Sequence, residues 1–204
     1  PFDILSSFSF RHSAIGVVAM RWFWIDKFVE FERGKRAVAV KNVSMVEEEL
    51  DGYLPGFPIY PNSLVIEGMA QTAGLLIGEV NGFEDRVVLA KVGKAVFHRP
   101  ATPGDQLRYT AMIQDVQKDG AIATLTSHIG TELQAEVEMM FAFLDERFPS
   151  GPLFDPVEFL VMVRTFGLYD VGQENGQPLT PPPFYAEAEQ AAQAAYPTGP
   201  VSPA

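Results

Sequence analysis

Residues 51–71 read Asp51-Gly52-Tyr53-Leu54-Pro55-Gly56-Phe57-Pro58-Ile59-Tyr60-Pro61-Asn62-Ser63-Leu64-Val65-Ile66-Glu67-Gly68-Met69-Ala70-Gln71, and the segment changes character halfway along. Up to Pro61 it is rich in proline and glycine, which restrict or free the backbone and mark a structured loop. After Pro61 it is helix-compatible without a break from residue 63 to residue 79. Pro61 followed by Asn62 and Ser63 predicts the helix start, with either polar side chain able to cap free backbone N–H groups. From residue 64 to residue 77 the helix is apolar on nearly every face apart from Glu67, Gln71 and Thr72, and Gly68, Ala70, Ala73 and Gly74 keep its surface slim. A helix of that kind is expected to be buried all round.

Outward from this segment, residues 22–32 are aromatic and β-branched, Arg33-Gly34-Lys35 supplies a turn, and residues 36–43 alternate charged or polar with apolar side chains. That pattern predicts a β-hairpin. Beyond Asn81-Gly82, strand-like stretches run over residues 87–92, 95–99, 107–117, 122–129 and 133–144, separated by Pro100, Pro103-Gly104 and Lys118-Asp119-Gly120. The last three predict a meander of long antiparallel strands. Residues 155–168 predict a further helix opening at Asp155-Pro156, whose Phe159, Leu160, Met162, Val163 and Phe166 are too apolar to leave in water and should dock on the domain or on a partner subunit. From Gln173 onward Gly, Pro, Ala, Gln and Glu dominate, which reads as a Pro/Ala-rich tail. Periodicity alone gives an α+β chain with an antiparallel sheet.

Composition bounds the function. With 204 residues, 47% of them hydrophobic, the chain can build one domain with a sizeable core and has length left over. It has no cysteine, which excludes disulfides, thiolate catalysis and cysteine-ligated metals and makes a cytoplasmic location the simplest expectation. The net charge of -11 argues against nucleic acid, whose phosphates need concentrated Lys and Arg. No run of eighteen apolar residues occurs, so no membrane span is expected.

The 51–71 segment resembles the active-site region of the (3R)-3-hydroxyacyl-[acyl carrier protein] dehydratases of fatty-acid synthesis, whose pattern reads G-H-F-P-G-x-P-x-x-P-G, then a short apolar run, then E-A-M-A-Q. Pro55, Gly56, Pro58, Pro61, Met69, Ala70 and Gln71 match it. Further on, Phe97-His98-Arg99-Pro100 and Pro103-Gly104-Asp105-Gln106-Leu107 resemble the later F-x-R-P-x-x-P-G-D-Q-L signature of the same family. The resemblance covers roughly residues 22–144 and implies the hotdog fold, one long central helix wrapped by a curved antiparallel sheet. It divides the chain into an N-terminal extension (1–21), a hotdog dehydratase-like domain (22–147), a C-terminal helical extension (148–172) and the tail (173–204).

Dehydration of a 3-hydroxyacyl thioester needs a base for the C2 proton, an acid for the C3 hydroxyl and a donor to the thioester carbonyl. In the resembled family a loop histidine is the base, a carboxylate fourteen residues later on the neighbouring subunit's helix is the acid, and a backbone N–H at the helix start meets the carbonyl. Tyr53 occupies the histidine position, and Glu67 falls fourteen residues later in intact register. A phenol releases its proton near pH 10 and an imidazole near 6.5, so a tyrosine offers a proton more readily than it takes one. Asn62 stands where the family has glycine, next to the substrate path, and keeps the N–H. The implied site therefore has Glu67 and Tyr53 as catalytic candidates and Asn62, Tyr60, Gly56, Gln71 and Phe97 as substrate contacts, Gln71 lying one turn beyond Glu67 and able to orient it.

Lys91, Lys94, His98 and Arg99 form the densest basic cluster near the expected entrance and are the candidates for binding an acidic acyl carrier protein or coenzyme A. His12, His98 and His128 show no ligand spacing, so no metal is expected, and the reaction calls for no cofactor. The resemblance implies a homodimer, or a trimer of dimers, acting on acyl thioesters in fatty-acid or related lipid synthesis. Two other readings stay open: a hotdog thioesterase that uses Glu67 alone, and a non-catalytic acyl-thioester-binding or partner protein.

Overall fold

In the computed structural model, which describes residues 23–148, 151, 153, 156–183 and 185, the hairpin opens the fold. Strands β1 (Lys27–Glu32) and β2 (Arg36–Asn42) pair antiparallel, Phe28 opposite Ala39 and Phe31 opposite Ala37, and all four side chains enter the core. Gly34 turns the chain between them at φ +68°, a conformation that only glycine adopts without cost. The expected N-terminal extension, His12 and the end of the expected tail lie outside the described residues.

A short helix α1 (Glu48–Tyr53) follows, its last residues lying in the stretch read from sequence as loop. The central helix α2 (Asn62–Glu79) starts one residue earlier than expected. Pro61 is the N-cap, its carbonyl accepts the N–H groups of Leu64 and Val65, and no side chain among the described residues caps the helix. Asn62 and Ser63 are thus the first helical residues, too far into the turn to fold back as caps.

Strands β3 (Val87–Phe97), β4 (Gln106–Gln117), β5 (Gly120–Ile129) and β6 (Glu132–Phe143) complete the predicted antiparallel set. β3 is one strand where the sequence predicts two. Its register shifts between Leu89 and Lys91 and again between Val92 and Lys94, and these bulges break the alternation that a regular strand would display.

The C-terminal extension is built into the same sheet. Helix α3 (Pro156–Thr165) ends at Gly167, φ +62°, and leads into α4 (Leu168–Val171), β7 (Gly172–Glu174) and β8 (Gln177–Pro178). β7 pairs parallel with β1, giving the sheet order β3-β6-β5-β4-β2-β1-β7-β8. Val163, Phe166, Leu168 and Leu179 are buried, and the Phe166 ring stands edge-on to Phe23 and Phe28. Residues 172–179, part of the stretch read from sequence as helical extension and tail, therefore close the β1 edge, and β3 is left as the long open edge.

α2 packs against β2, β3, β4, β5 and β6. Gly68 marks the tightest approach, since a Cβ there would lie 2.6 Å from both the Trp24 carbonyl oxygen and the Tyr109 ring. The helix is not buried all round, contrary to the composition-based expectation. Ser63 is exposed and Glu67, Gln71 and Gly74 are half-buried, and their spacing places them on one face. A single sheet covers only one side of a helix. Beside it, Leu89 and Val92 sit opposite the buried Phe141 and Met139 yet remain 40% and 37% exposed. The apolar edge strand β3 is thus left partly uncovered.

Candidate active site

The loop between α1 and α2 is pinned to the chain just after β3. The Tyr60 N–H donates to the Ala101 carbonyl at 2.8 Å in an isolated antiparallel bridge, and the Phe57 N–H donates to Leu54 at 2.9 Å around Gly56, whose φ is +82°. These contacts bring Tyr53 and Asn62 across from Phe97, His98 and Arg99. Together with Leu54, Ile59 and Pro100 they line a cleft of about 350 Å³. Tyr53, Asn62, Phe97, His98 and Arg99 thus line one cleft, although they come from two signatures some forty residues apart. Leu54, Ile59 and Pro100 are not among the expected site residues; Pro100 belongs to the later signature, and the signal that Leu54 and Ile59 carry is their place within the loop motif.

Gly56 lines a neighbouring hollow of about 200 Å³ with Met45, Leu50, Leu54 and Pro58. Tyr60, expected to contact substrate, is fully buried. The backbone bridge to Ala101 turns its ring into the core, 6.0 Å from Lys41 Nζ, and burial pushes its phenol well above the ordinary range. It does not line the cleft.

Glu67 lies on the open face of α2 and is absent from the cleft lining around Tyr53. Gln71 orients it. The Gln71 side-chain oxygen accepts the Trp24 backbone N–H at 2.9 Å, which leaves the amide NH₂ to donate to Glu67 Oε1 at 3.2 Å. Helix α2 also presents the Asn62 and Ser63 N–H groups at its positive end, where no intrahelical acceptor exists.

The basic cluster is only partly a cluster. His98 Nε2 lies 3.2 Å from Glu136 Oε2, and Arg99 is paired with Glu132 and sits 3.8 Å from Asp105. Lys91 and Lys94 are exposed on β3, Lys94 opposite Glu138 in register. The cleft mouth is thus nearly charge-balanced. His128 is half-buried in β5. Among the described residues no group of three or more His, Cys, Asp or Glu is placed to hold a metal ion, and no helix is long and apolar enough to cross a membrane.

Chemically, the cleft offers hydrogen-bond donors over an apolar floor: a phenol, a side-chain amide, a helix start and a guanidinium beside Phe97. An acyl thioester has the matching features, a carbonyl acceptor on an apolar chain. The carboxylate needed for acid–base work stands on the adjoining helix face.

Comparison with known proteins places these features. The FabA-like domain family model matches residues 20–137 and ends before the C-terminal extension. A 3-hydroxyacyl-[acyl-carrier-protein] dehydratase FabZ from Symbiobacterium thermophilum is 39% identical over 126 residues, 61% of this chain and 89% of that protein. The FabZ of Desulforamulus reducens is 38% identical over 119 residues, 58% of this chain and 84% of its own. Among solved structures, a Streptococcus mutans UA159 protein bound to acetyl CoA matches with a TM-score of 0.50 at 15% identity, covering 64% of this chain and 97% of that one. A Helicobacter felis HP0420-homologue matches with a TM-score of 0.50 at 10% identity, covering 66% and 88%. At such identities the solved structures speak to fold alone, and the fold is the hotdog.

Proposed function

Because the chain belongs to the FabA-like family and is related to the FabZ dehydratases, we propose that it takes acyl thioesters of a carrier protein or coenzyme A into the Tyr53 cleft and acts as a 3-hydroxyacyl thioester dehydratase in fatty-acid or related lipid synthesis. The observation that carries this reading is Glu67, in register with the family's acid and held by Gln71 on the open face of α2.

In the proposed reaction the thioester carbonyl meets the N–H groups at the start of α2, beside the Asn62 amide. These stabilise the enolate-like charge as the C2 proton leaves. That proton goes to a water held by Tyr53, and Glu67 donates a proton to the departing C3 hydroxyl, which leaves as water. Glu67 is not among the residues lining the Tyr53 cleft, which supports a homodimeric unit in which the loop of one subunit faces the helix of the other. The open β3 edge and the exposed apolar side chains of Leu54, Phe57, Leu89 and Val92 support that pairing. Lys91 and Lys94 are the cations left to meet an acidic carrier, in a cytoplasmic setting.

A second reading has its own support. Replacing an imidazole base by a phenol removes roughly 10²- to 10⁴-fold of rate, enough to turn an enzyme into a binding protein. Mass spectrometry of a (3R)-3-hydroxyacyl thioester incubated with the protein separates the possibilities. Water loss that disappears in Glu67→Gln is the expected result. Thiol release that disappears in the same variant would make the protein a thioesterase, and tight binding without either product would make it an acyl-binding protein.

A further inference from the structure

Where the C-terminal extension meets the hotdog body, it closes over a charge cluster far from the cleft. Glu79 is the last residue of α2, about 26 Å along the helix from Asn62 by the 1.5 Å rise per residue. Its side chain is almost completely sealed, at 2% exposure. Arg33, in the β1–β2 turn, approaches it twice. Nη2 donates to the Glu79 carbonyl oxygen at 3.1 Å, and Nε lies 3.1 Å from Oε2, within ion-pair reach but without the geometry of a hydrogen bond. The same guanidinium reaches Glu174 Oε2 on β7 at 3.6 Å, and the Arg33 backbone N–H donates to the Gln173 carbonyl at 2.9 Å. From α4, Tyr169 adds a buried hydroxyl within electrostatic reach of Glu79 and with no hydrogen-bond partner among the described residues.

One cation therefore answers two carboxylates from different elements, and its best-directed bond goes to a backbone carbonyl. Glu174 is 53% exposed and open to solvent, whereas Glu79 is sealed from it. A sealed carboxylate with an oxygen that lacks a directed hydrogen bond, as Glu79 Oε2 does, is costly when ionised and cheaper when protonated.

We infer that Glu79, Arg33, Glu174 and Tyr169 form a proton-operated latch that fastens the extension to the hotdog body, closed when Glu79 is protonated and loosened when it ionises.

Burial pushes the Glu79 carboxyl up from the ordinary 4.5 to about 7, with Arg33 opposing the rise and Glu174 adding to it. Release of the extension returns Glu79 to water and to the ordinary range. Docking thus takes up a proton. Its contribution is fully present below about pH 4.5 and is lost as pH rises through about 7. Tyr169 stays a neutral phenol throughout, because burial first and the Glu79 charge second hold it above its usual range.

Hydrogen exchange of the full chain reads the latch directly. The amides of Phe28 and Arg33 donate to Phe166 and Gln173 across the junction and report docking, with β5 amides as the internal control. After correction for intrinsic exchange, their protection relative to β5 is expected to fall by on the order of 30-fold between pH 5.5 and pH 8.5. Glu79→Gln should flatten that dependence and keep the extension docked at pH 8.5. Glu174→Gln, an exposed change that leaves folding intact, should move the midpoint to lower pH. A flat wild-type profile, a slope retained in Glu79→Gln, or a midpoint unmoved in Glu174→Gln would each overturn the latch.

Discussion

Mixing two defective chains tests how the cleft and the helix carboxylate come together. Tyr53→His restores an imidazole to a cleft of about 350 Å³ that already accommodates the larger phenol, so the substitution adds a base without a clash. Water loss from a 3-hydroxyacyl thioester is expected to rise by roughly 10²- to 10⁴-fold, the usual worth of a general base. Tyr53→His combined with Glu67→Gln should be dead again, since the acid is gone. Co-expressed in equal amounts with the wild-type chain, the double variant forms mixed dimers about half the time, each holding one site with the introduced imidazole from one chain and Glu67 from the other. Activity per chain should then recover to about a quarter of that of Tyr53→His, followed as enoyl thioester by mass spectrometry. The reasoning rests on Glu67 being absent from the Tyr53 cleft of its own chain. If Tyr53→His is active and the mixture is not, each site lies within one subunit and the shared-site dimer is wrong.

Three further outcomes are expected. Gly68→Ala puts a Cβ 2.6 Å from the Trp24 carbonyl, a backbone atom with little room to yield, and should cost about 1–3 kcal/mol in urea denaturation. Gln71→Leu removes both the acceptor of the Trp24 N–H and the donor to Glu67, and should cost about 1–2 kcal/mol while lowering kcat more than it changes KM. Truncation after residue 148 uncovers Phe28 and Phe31 and discards the buried Val163, Phe166, Leu168 and Leu179, each worth roughly 1.5–3 kcal/mol, so the truncated chain should denature at markedly lower urea or fail to remain in solution. An unchanged midpoint would mean that the extension contributes nothing to the fold.

What could be read from sequence and what could not divides along a physical line. α2 was legible because its signal is local: an unbroken apolar run behind a proline, with small residues that announce close packing. The meander of β4, β5 and β6 was legible because alternation and turn residues recur within ten or twelve positions. α1 was missed because Gly52 and the prolines beyond it mask a single helical run opening at Glu48. β3 was split in two because bulges on either side of Val92 change which residues face inward, and a bulge has no composition of its own.

The site shows the same division at finer scale. The spacing from Tyr53 to Glu67 is a property of one segment; it puts Glu67 on α2 as expected, whereas Tyr53, expected in a loop, closes helix α1. Tyr60 sits in that segment too, yet its burial is decided by a backbone bridge to Ala101, forty-one positions away, which no local pattern reports. The pairing of His98 with Glu136 and of Arg99 with Glu132 depends likewise on the register of β3 against β6, so a basic cluster in the sequence became a nearly balanced mouth in the structure. The extension carries the argument furthest. Its apolar residues announced that it must dock, and they said nothing of where. The place was set by Arg33, a turn residue whose side chain meets the end of α2 while its backbone meets Gln173. Local chemistry in this chain specifies elements and candidate groups. Which of those groups face each other is set by pairings between residues tens to more than a hundred positions apart, and those pairings, with the alternatives they exclude, determine whether Glu67 finds a base and Glu79 a counter-ion.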